Sequence, residues 1–347
     1  MNVQDDAAYL QHLRTFVDKP TGVPRVGGDL VNVPMTRHWC QVISEYNPIY
    51  CDEQAARAAG FPGIPAHPTL LQSWTHHDRR YPPPAGGPDN PEEQLFRALA
   101  EGGFTSVVAT SSDQEYFEYF QTGDQVTMSG VLLSVSPRKA TALGEGHFVS
   151  SCLEYRDQRG SLKGQLTWTV FRFRPPQASG GATAVRKTTE VAPHKPAPTP
   201  TSSGDVYDAA MEFTRLQAGL ALAPRVIDIT PTLIVVGAID SRDFHPVHHD
   251  RNHARATGTR DIIMNVFTTV GLVGTYVTDR VGPGSLLRRV AVRLGVPNYP
   301  GDTMQIKGVV NSVQRDKSAV TAEVGLTAVN GLGQHASATV VVELPAR

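Results

Sequence analysis

Three short segments between residues 126 and 173 place apolar and polar residues in alternation: Val126–Val135, Ala140–Tyr155 and Leu162–Phe173, the last reading TWTVFRF. A period of two marks a strand with one face buried. The same order returns near the C-terminus as Met304–Val313, Ala319–Val329 and Ala336–Leu344. Ahead of each triplet runs an apolar stretch of helical length, His67–Asp78 (HPTLLQSWTHHD) and Ile262–Asp279 (IIMNVFTTVGLVGTYVTD). One long helix followed by consecutive strands predicts, in each half, an antiparallel sheet wrapped around a helix, an α+β arrangement.

The halves repeat one another in detail. Asn47–Gly60 (NPIYCDEQAARAAG) returns as His245–Gly258 (HPVHHDRNHARATG), at a constant offset of 198 residues. Gly123-Asp124 before VTMSGVLLSV returns as Gly301-Asp302 before MQIKGVVNSV, at an offset of 178. The first half therefore holds about 20 additional residues, which the Pro- and Gly-punctuated stretch Tyr81–Gln94 accommodates as a loop. From Pro175 to Asp205 the chain is rich in Pro, Ala, Thr, Ser and Gly and poor in large apolar residues, so it cannot offset its ordering entropy by burial. We expect a first domain over 1–175, a linker over 176–205 and a second domain over 206–347.

With 32 basic and 33 acidic side chains in 347 residues, the chain offers no broad field for nucleic acid or an anionic membrane. The polar start and the lack of a long apolar run predict neither export nor membrane insertion, hence a cytoplasmic protein. Cys40, Cys51 and Cys152 form no CxxC pattern and are expected to be buried thiols. A small-molecule substrate is the expected partner, with no nucleic acid.

The run Asp243-Phe244-His245-Pro246-Val247-His248 resembles the MaoC/(R)-hydratase signature, in which Asp and His flank an Asn-Pro pair ahead of a helix. The resemblance covers both halves outside the linker and the extra loop. It implies a hot-dog fold for each half, packed as a double hot dog, and a hydratase acting on an enoyl thioester. Asp243 and His248 fall on the family's catalytic positions, the backbone N–H of Asn265 on its thioester-oxygen site, and His245 on its substrate-side Asn. Adding water to a conjugated thioester needs a base, an acid and donors for the enolate oxygen, and a carboxylate with an imidazole around one water supplies the first two. In the first half the matching run is Glu45-Tyr46-Asn47-Pro48-Ile49-Tyr50, and Pro68 is taken as the counterpart of Asn265. Tyr50 cannot titrate near neutrality and Pro68 has no N–H, so this half is expected to be catalytically silent and to widen the acyl groove.

The resemblance is nearest to actinobacterial steroid side-chain hydratases, through DIIMNVFTTVGLVGTYVTDRVGP and RLGVPNYPGDT for their small subunit and VNVPMTRHWCQVISEYNPIY and PTLLQSW for the larger. It implies two subunits fused in one chain, a bulky steroid-like acyl-CoA and no cofactor beyond the substrate's CoA. The larger subunit of those systems carries a zinc-binding OB-like module that docks an aldolase. No CxxC pair marks that module here, which leaves an aldolase partner open; a homodimer of double hot dogs is expected. Arg288, Arg289 and Arg293 are candidates for CoA phosphates, against an outer strand face. Trp74 and the cluster Tyr116, Phe117, Tyr119 and Phe120 are candidates for the acyl groove, against core packing. His245, His248, His249 and His253 match no metal-ligand spacing, so no metal is expected. The alternatives are a non-catalytic acyl-thioester-binding protein and a thioesterase.

Overall fold

The computed structural model describes residues 3–76, 90–141, 143–174, 216–282, 284–317 and 319–345. The expected linker lies outside them. The first half contributes α1 (Val3–Arg14), β1 (Arg25–Val26), α2 (Val33–Ile43), α3 (Glu53–Ala58), α4 (Pro91–Glu101), β2 (Ser106–Tyr116), β3 (Thr127–Val135), β4 (Lys139–Thr141), β5 (Gly144–Arg156) and β6 (Leu162–Arg174). The second contributes β7 (Ala221–Asp228), α5 (Pro231–Asp240), α6 (Arg251–Ala256), α7 (Val266–Val281), β8 (Leu286–Leu294), β9 (Thr303–Arg315), β10 (Ala319–Asn330) and β11 (Gly333–Pro345).

All strands join one antiparallel sheet in the order β1-β3-β5-β6-β2-β8-β11-β10-β9-β7, with β4 on β5. Read outward from the middle, both sides repeat one strand order, as a pseudo-two-fold axis requires. The axis falls between β2 and β8, where Asp113 stands opposite Ala291. This is the double hot dog the resemblance implies, with the two half-sheets continuous through the seam.

The strands form where alternation buries one face. Val320, Ala322, Val324, Leu326 and Ala328 of β10 are buried while their neighbours are not. Helix α7 lies in the concavity with every residue but Arg280 buried. It starts at Val266 rather than Ile262 because Asn265 is its N-cap, accepting the N–H of Thr268 at 2.9 Å, and because Ile263 and Met264 donate instead to the carbonyls of Val247 and Asn298. Helix α5 reaches α7 at Gly237, where a Cβ would stand 2.2 Å from Thr268 Oγ1, so only glycine permits this approach.

Three expectations are corrected. The stretch His67–Asp78 does not form a continuous helix through its described part, ending at His76. It makes two 3-10 turns, Pro68–Leu70 and Ser73–Thr75, since Thr69, Ser73, Trp74, Thr75 and His76 are weak helix formers and Thr69 Oγ1 is engaged by Trp39 and His67. The extra segment is not loop to Gln94, because Asn90 caps α4 by accepting the N–H groups of Glu92 and Glu93, and Leu95 and Leu99 anchor that helix on a second core with Leu13, Phe16, Phe104 and Leu132. Only Cys40 is a buried thiol; Cys51 ends a 3-10 turn on the solvent side and Cys152 is half-buried. The polar strand β2 and the capped helices α2 and α5 carry no alternation and were not expected. No described helix is long and apolar enough to cross a membrane.

Candidate active site

Helix α5 ends in a turn that aims the acid. Arg242 adopts φ 59°, a left-handed conformation that costs a non-glycine residue energy, and this lets the Asp243 N–H close onto Ala238 O at 2.8 Å. The first half repeats the device with Ser44 at φ 54° and Glu45 N–H on Cys40 O at 2.8 Å. After the turn, Pro246–His248 forms a 3-10 turn capped by His245, and α6 follows with Asp250 as its N-cap.

Asp243 and His248 meet, Oδ2 to Nε2, at 3.2 Å. Around them, Asn265 Nδ2 donates to Asp243 Oδ2 at 3.2 Å and to Ser241 Oγ at 2.9 Å, and the His245 N–H donates to Asp243 Oδ1 at 3.3 Å. Asn265 Oδ1 accepts from Thr268 N and Oγ1, so the amide is fixed at both ends. Burial opposes ionisation of Asp243, but the hydrogen bond and charge of His248, with the Asn265 and His245 donors, hold its carboxyl below the ordinary carboxylate value. His248 Nδ1 faces Ile263 O at 2.7 Å, and a carbonyl can only accept, so Nδ1 bears a proton. Nε2 is then left facing Asp243 Oδ2 at direct hydrogen-bond distance, so a water beside the pair can meet both atoms.

Asn265 thus contributes more than the backbone donor expected of it. Its N–H has no acceptor among the described residues and stands at the N-terminus of α7, where the helix dipole favours negative charge. Its counterpart is not Pro68 but His67, which lies at the 198-residue offset of the surrounding repeat and, like Asn265, caps the segment that follows. The one-residue difference matters: position 67 does carry an N–H, so the absent donor at Pro68 no longer argues for silence.

In the first half Trp39 Nε1 donates to Thr69 Oγ1 at 2.8 Å, and Thr69 Oγ1 in turn faces His67 Nδ1 at 2.8 Å. Since Nδ1 also takes the Thr69 N–H at 3.4 Å, it is the acceptor, which leaves Nε2–H to donate to Glu45 Oε2 at 3.3 Å. Glu45 also accepts from the Asn47 N–H at 2.8 Å and Thr278 Oγ1 at 3.4 Å. The Tyr50 ring packs 4.6 Å from the His67 ring, and Glu45, Tyr50 and His67 are all buried.

Of the other candidates only His245 adjoins Asp243 and His248. His245 is exposed, its Nδ1 accepting the Val247 N–H, with ring centres 6.2 Å from His248 and 5.7 Å from His253. A bulge in β8 turns Arg288 and Arg289 to the same side of the seam, where Arg288 bonds Glu343 at 2.7 Å and Arg289 grips Asp113 through two nitrogens at 2.8 and 2.6 Å. Arg293 is exposed on the same strand. Trp74 is buried and lines a hollow with His67, Leu71, Tyr116, Tyr119 and Phe120, whereas Phe117 is exposed. Ser241, Arg242, Thr268 and the Ile263 carbonyl were not expected in the site. Their roles lie in backbone geometry and hydrogen bonding, which residue type does not announce.

Comparison with known proteins gives the chain its family. A FAS1-like dehydratase domain region matches residues 27–162, and a MaoC like domain matches residues 220–330. The chain is 43% identical over 173 residues to a "Probable enoyl-CoA hydratase alpha subunit" of Thermomonospora curvata, covering 48% of this chain and 52% of that protein. It is 44% identical over 114 residues to the "3-oxo-4,17-pregnadiene-20-carboxyl-CoA hydratase beta subunit" of Mycobacterium tuberculosis, covering 33% of this chain and 85% of that protein. It thus spans about half the length of the first relative and most of the second. A solved "MaoC-like dehydratase" superposes with a TM-score of 0.68 at 20% identity, covering 96% of this chain and 99% of that one, which shows the fold. The chain belongs to the MaoC-like enoyl-CoA hydratase/dehydratase family.

Proposed function

We propose that the protein adds water across the double bond of a trans-2-enoyl-CoA, or removes it from the 3-hydroxyacyl-CoA, at Asp243 and His248. The observation that carries this reading is the 3.2 Å approach of Asp243 Oδ2 to His248 Nε2, with His248 Nδ1 already committed to a carbonyl. Two groups so placed can grip one water. One takes a proton as the water oxygen bonds to Cβ, the π pair moves toward the thioester to form an enolate, and a proton is returned to Cα. The Asn265 N–H, with the α7 N-terminus behind it, is suited to the negative charge that develops on the thioester oxygen.

The first half is silent in this reading. Its own acidic residue is buried and spent on Asn47, His67 and Thr278, and Tyr50 fills the place of His248. In this reading the acyl group lies in that half against Trp74, Tyr116, Tyr119 and Phe120, which line a hollow beside the two 3-10 turns. The relatives' names point to a steroid side-chain thioester as that group, and matches to an alpha and a beta subunit support two fused units. Arg288, Arg289 and Arg293 as CoA contacts, and the pairing of two double hot dogs, are parts of the same proposal.

The test is the loss of enoyl-thioester absorbance with crotonyl-CoA and with a steroid side-chain enoyl-CoA, in wild type and in Asp243→Asn and His248→Ala. The expected result is preference for the steroid substrate and a loss of at least about 100-fold in each variant. Release of free thiol instead of hydration, or variants as active as wild type, overturns the reading.

A further inference from the structure

The first half sends one side chain into the second half's site. His76, just past the second 3-10 turn, donates from Nδ1 to Ser241 O at 3.1 Å. Its ring lies 5.5 Å from that of Phe267, in the first turn of α7. Two separate contacts therefore hold the imidazole between the Ser241 carbonyl, two residues before the acid, and the first turn of α7 beside Asn265. The contact has a pseudo-symmetric mate, since Thr275 Oγ1 of α7 reaches across to Ile43 O at 3.4 Å, and Ile43 is the 198-residue counterpart of Ser241. The crossing belongs to the architecture, but only at position 76 does it deliver a group with a second nitrogen.

Because Nδ1 donates to a carbonyl, the neutral ring carries its lone pair on Nε2, and the described residues give Nε2 no hydrogen bond. Burial pushes the imidazole down to about 4, with Arg25 and Arg242 acting in the same sense, while Asp243 and the Ser241 hydrogen bond oppose them. At working pH the ring is therefore an acceptor that does not charge. Hydration leaves one of the two water protons on oxygen, as the hydroxyl hydrogen of the product. Asp243 and His248 account for the proton that departs, and a neutral acceptor suits the one that stays.

We propose that His76 Nε2 accepts the hydrogen bond from the O–H that water retains as it becomes the product's 3-hydroxyl, so that the nominally silent half completes the water site. This inference rests on the hydratase reading. It makes the site a composite of both halves, and it assigns to the first half a part in the chemistry besides room for the acyl chain.

The test compares wild type with His76→Asn and His76→Gln in the full chain, measuring kcat, KM and Tm with an enoyl-CoA at pH 6 and pH 9. Asparagine can keep an N–H near Nδ1 and the Ser241 anchor while losing Nε2. Glutamine can place an amide near Nε2. The expected result for His76→Asn is a 10- to 100-fold fall in kcat, equal at both pH values, with KM within about twofold and an unchanged Tm. His76→Gln is expected to recover at least a few-fold of that loss. A wild-type kcat in His76→Asn, a fall in Tm that accounts for the lost activity, or a loss confined to one pH overturns the assignment and leaves His76 a structural anchor. If wild type itself hydrates no enoyl-CoA, the hydratase reading fails first and the role of His76 fails with it.

Discussion

His67 and Asn265 occupy one place in the two halves: each caps the central segment, and each turns a side-chain nitrogen onto the carboxylate of its own loop, Glu45 Oε2 at 3.3 Å and Asp243 Oδ2 at 3.2 Å. The surroundings separate them. Glu45 is buried with its oxygens taken by Asn47, His67 and Thr278, whereas Asp243 is half-buried and meets His248 where the first half has Tyr50.

Asn265→Ala removes both the α7 cap and the donor that fixes Asp243. Loss of such a cap costs about 1 kcal/mol. Calorimetry is expected to show a modest fall in Tm, while kcat falls about 10-fold or more because the carboxylate is free to turn. Equal falls in kcat for Asn265→Ala and for an unrelated variant of the same Tm would reduce Asn265 to a cap.

Tyr50→Phe tests the silence of the first half. Tyr50 packs by its ring against His67 and keeps that packing as phenylalanine, so the variant should hydrate within about threefold of wild type. A loss of half or more of the bound acyl-CoA stoichiometry together with activity would reveal a second working site.

Asp279 sets a pH dependence of stability. Burial, with the nearby Glu45 charge, raises its carboxyl from 3.8 to about 7, and Arg225 at 3.3 Å and Arg280 only partly offset this. Between about pH 4 and pH 7 the folded state binds this proton more tightly than the unfolded chain, so stability falls as pH rises through that window and is level above it. In urea unfolding, Asp279→Asn should match wild type near pH 4 and exceed it by on the order of 2 kcal/mol at pH 8. Parallel curves for the two proteins across that window would show that Asp279 is ionised throughout.

Gly237→Ala places a Cβ 2.2 Å from Thr268 Oγ1 and forces α5 from α7. Overpacking of this kind costs about 1–3 kcal/mol. Since α5 delivers Ser241 and Asp243, the variant should lose kcat beyond its loss of stability, measured well below its Tm. Gly60→Ala, at a glycine with open space around its Cβ position but φ +91°, should lose stability without that extra loss of activity.

Local pattern carried a large part of this protein. Alternation placed the strands Thr127–Val135, Thr303–Arg315 and Ala319–Asn330 within a few residues, because half-burial of a sheet writes a period of two into the chain. The internal repeat exposed the two-fold plan, and the Asp-to-His spacing picked out two side chains that the structure brings together. Tertiary structure decided what depends on residues far apart in sequence. The seam pairs β2 with β8, strands from opposite halves, and no period along either strand records that pairing. The partner of Asn265 in the repeat is settled by who caps and who bonds the carboxylate, which motif alignment misjudged by one residue. His76 reaches Ser241 across 165 residues of chain, and Glu45 is spent on a network that includes the other half's Thr278. Periodicity reports burial along one element, whereas a site assembled from two halves is fixed by packing between elements, and no local pattern records that.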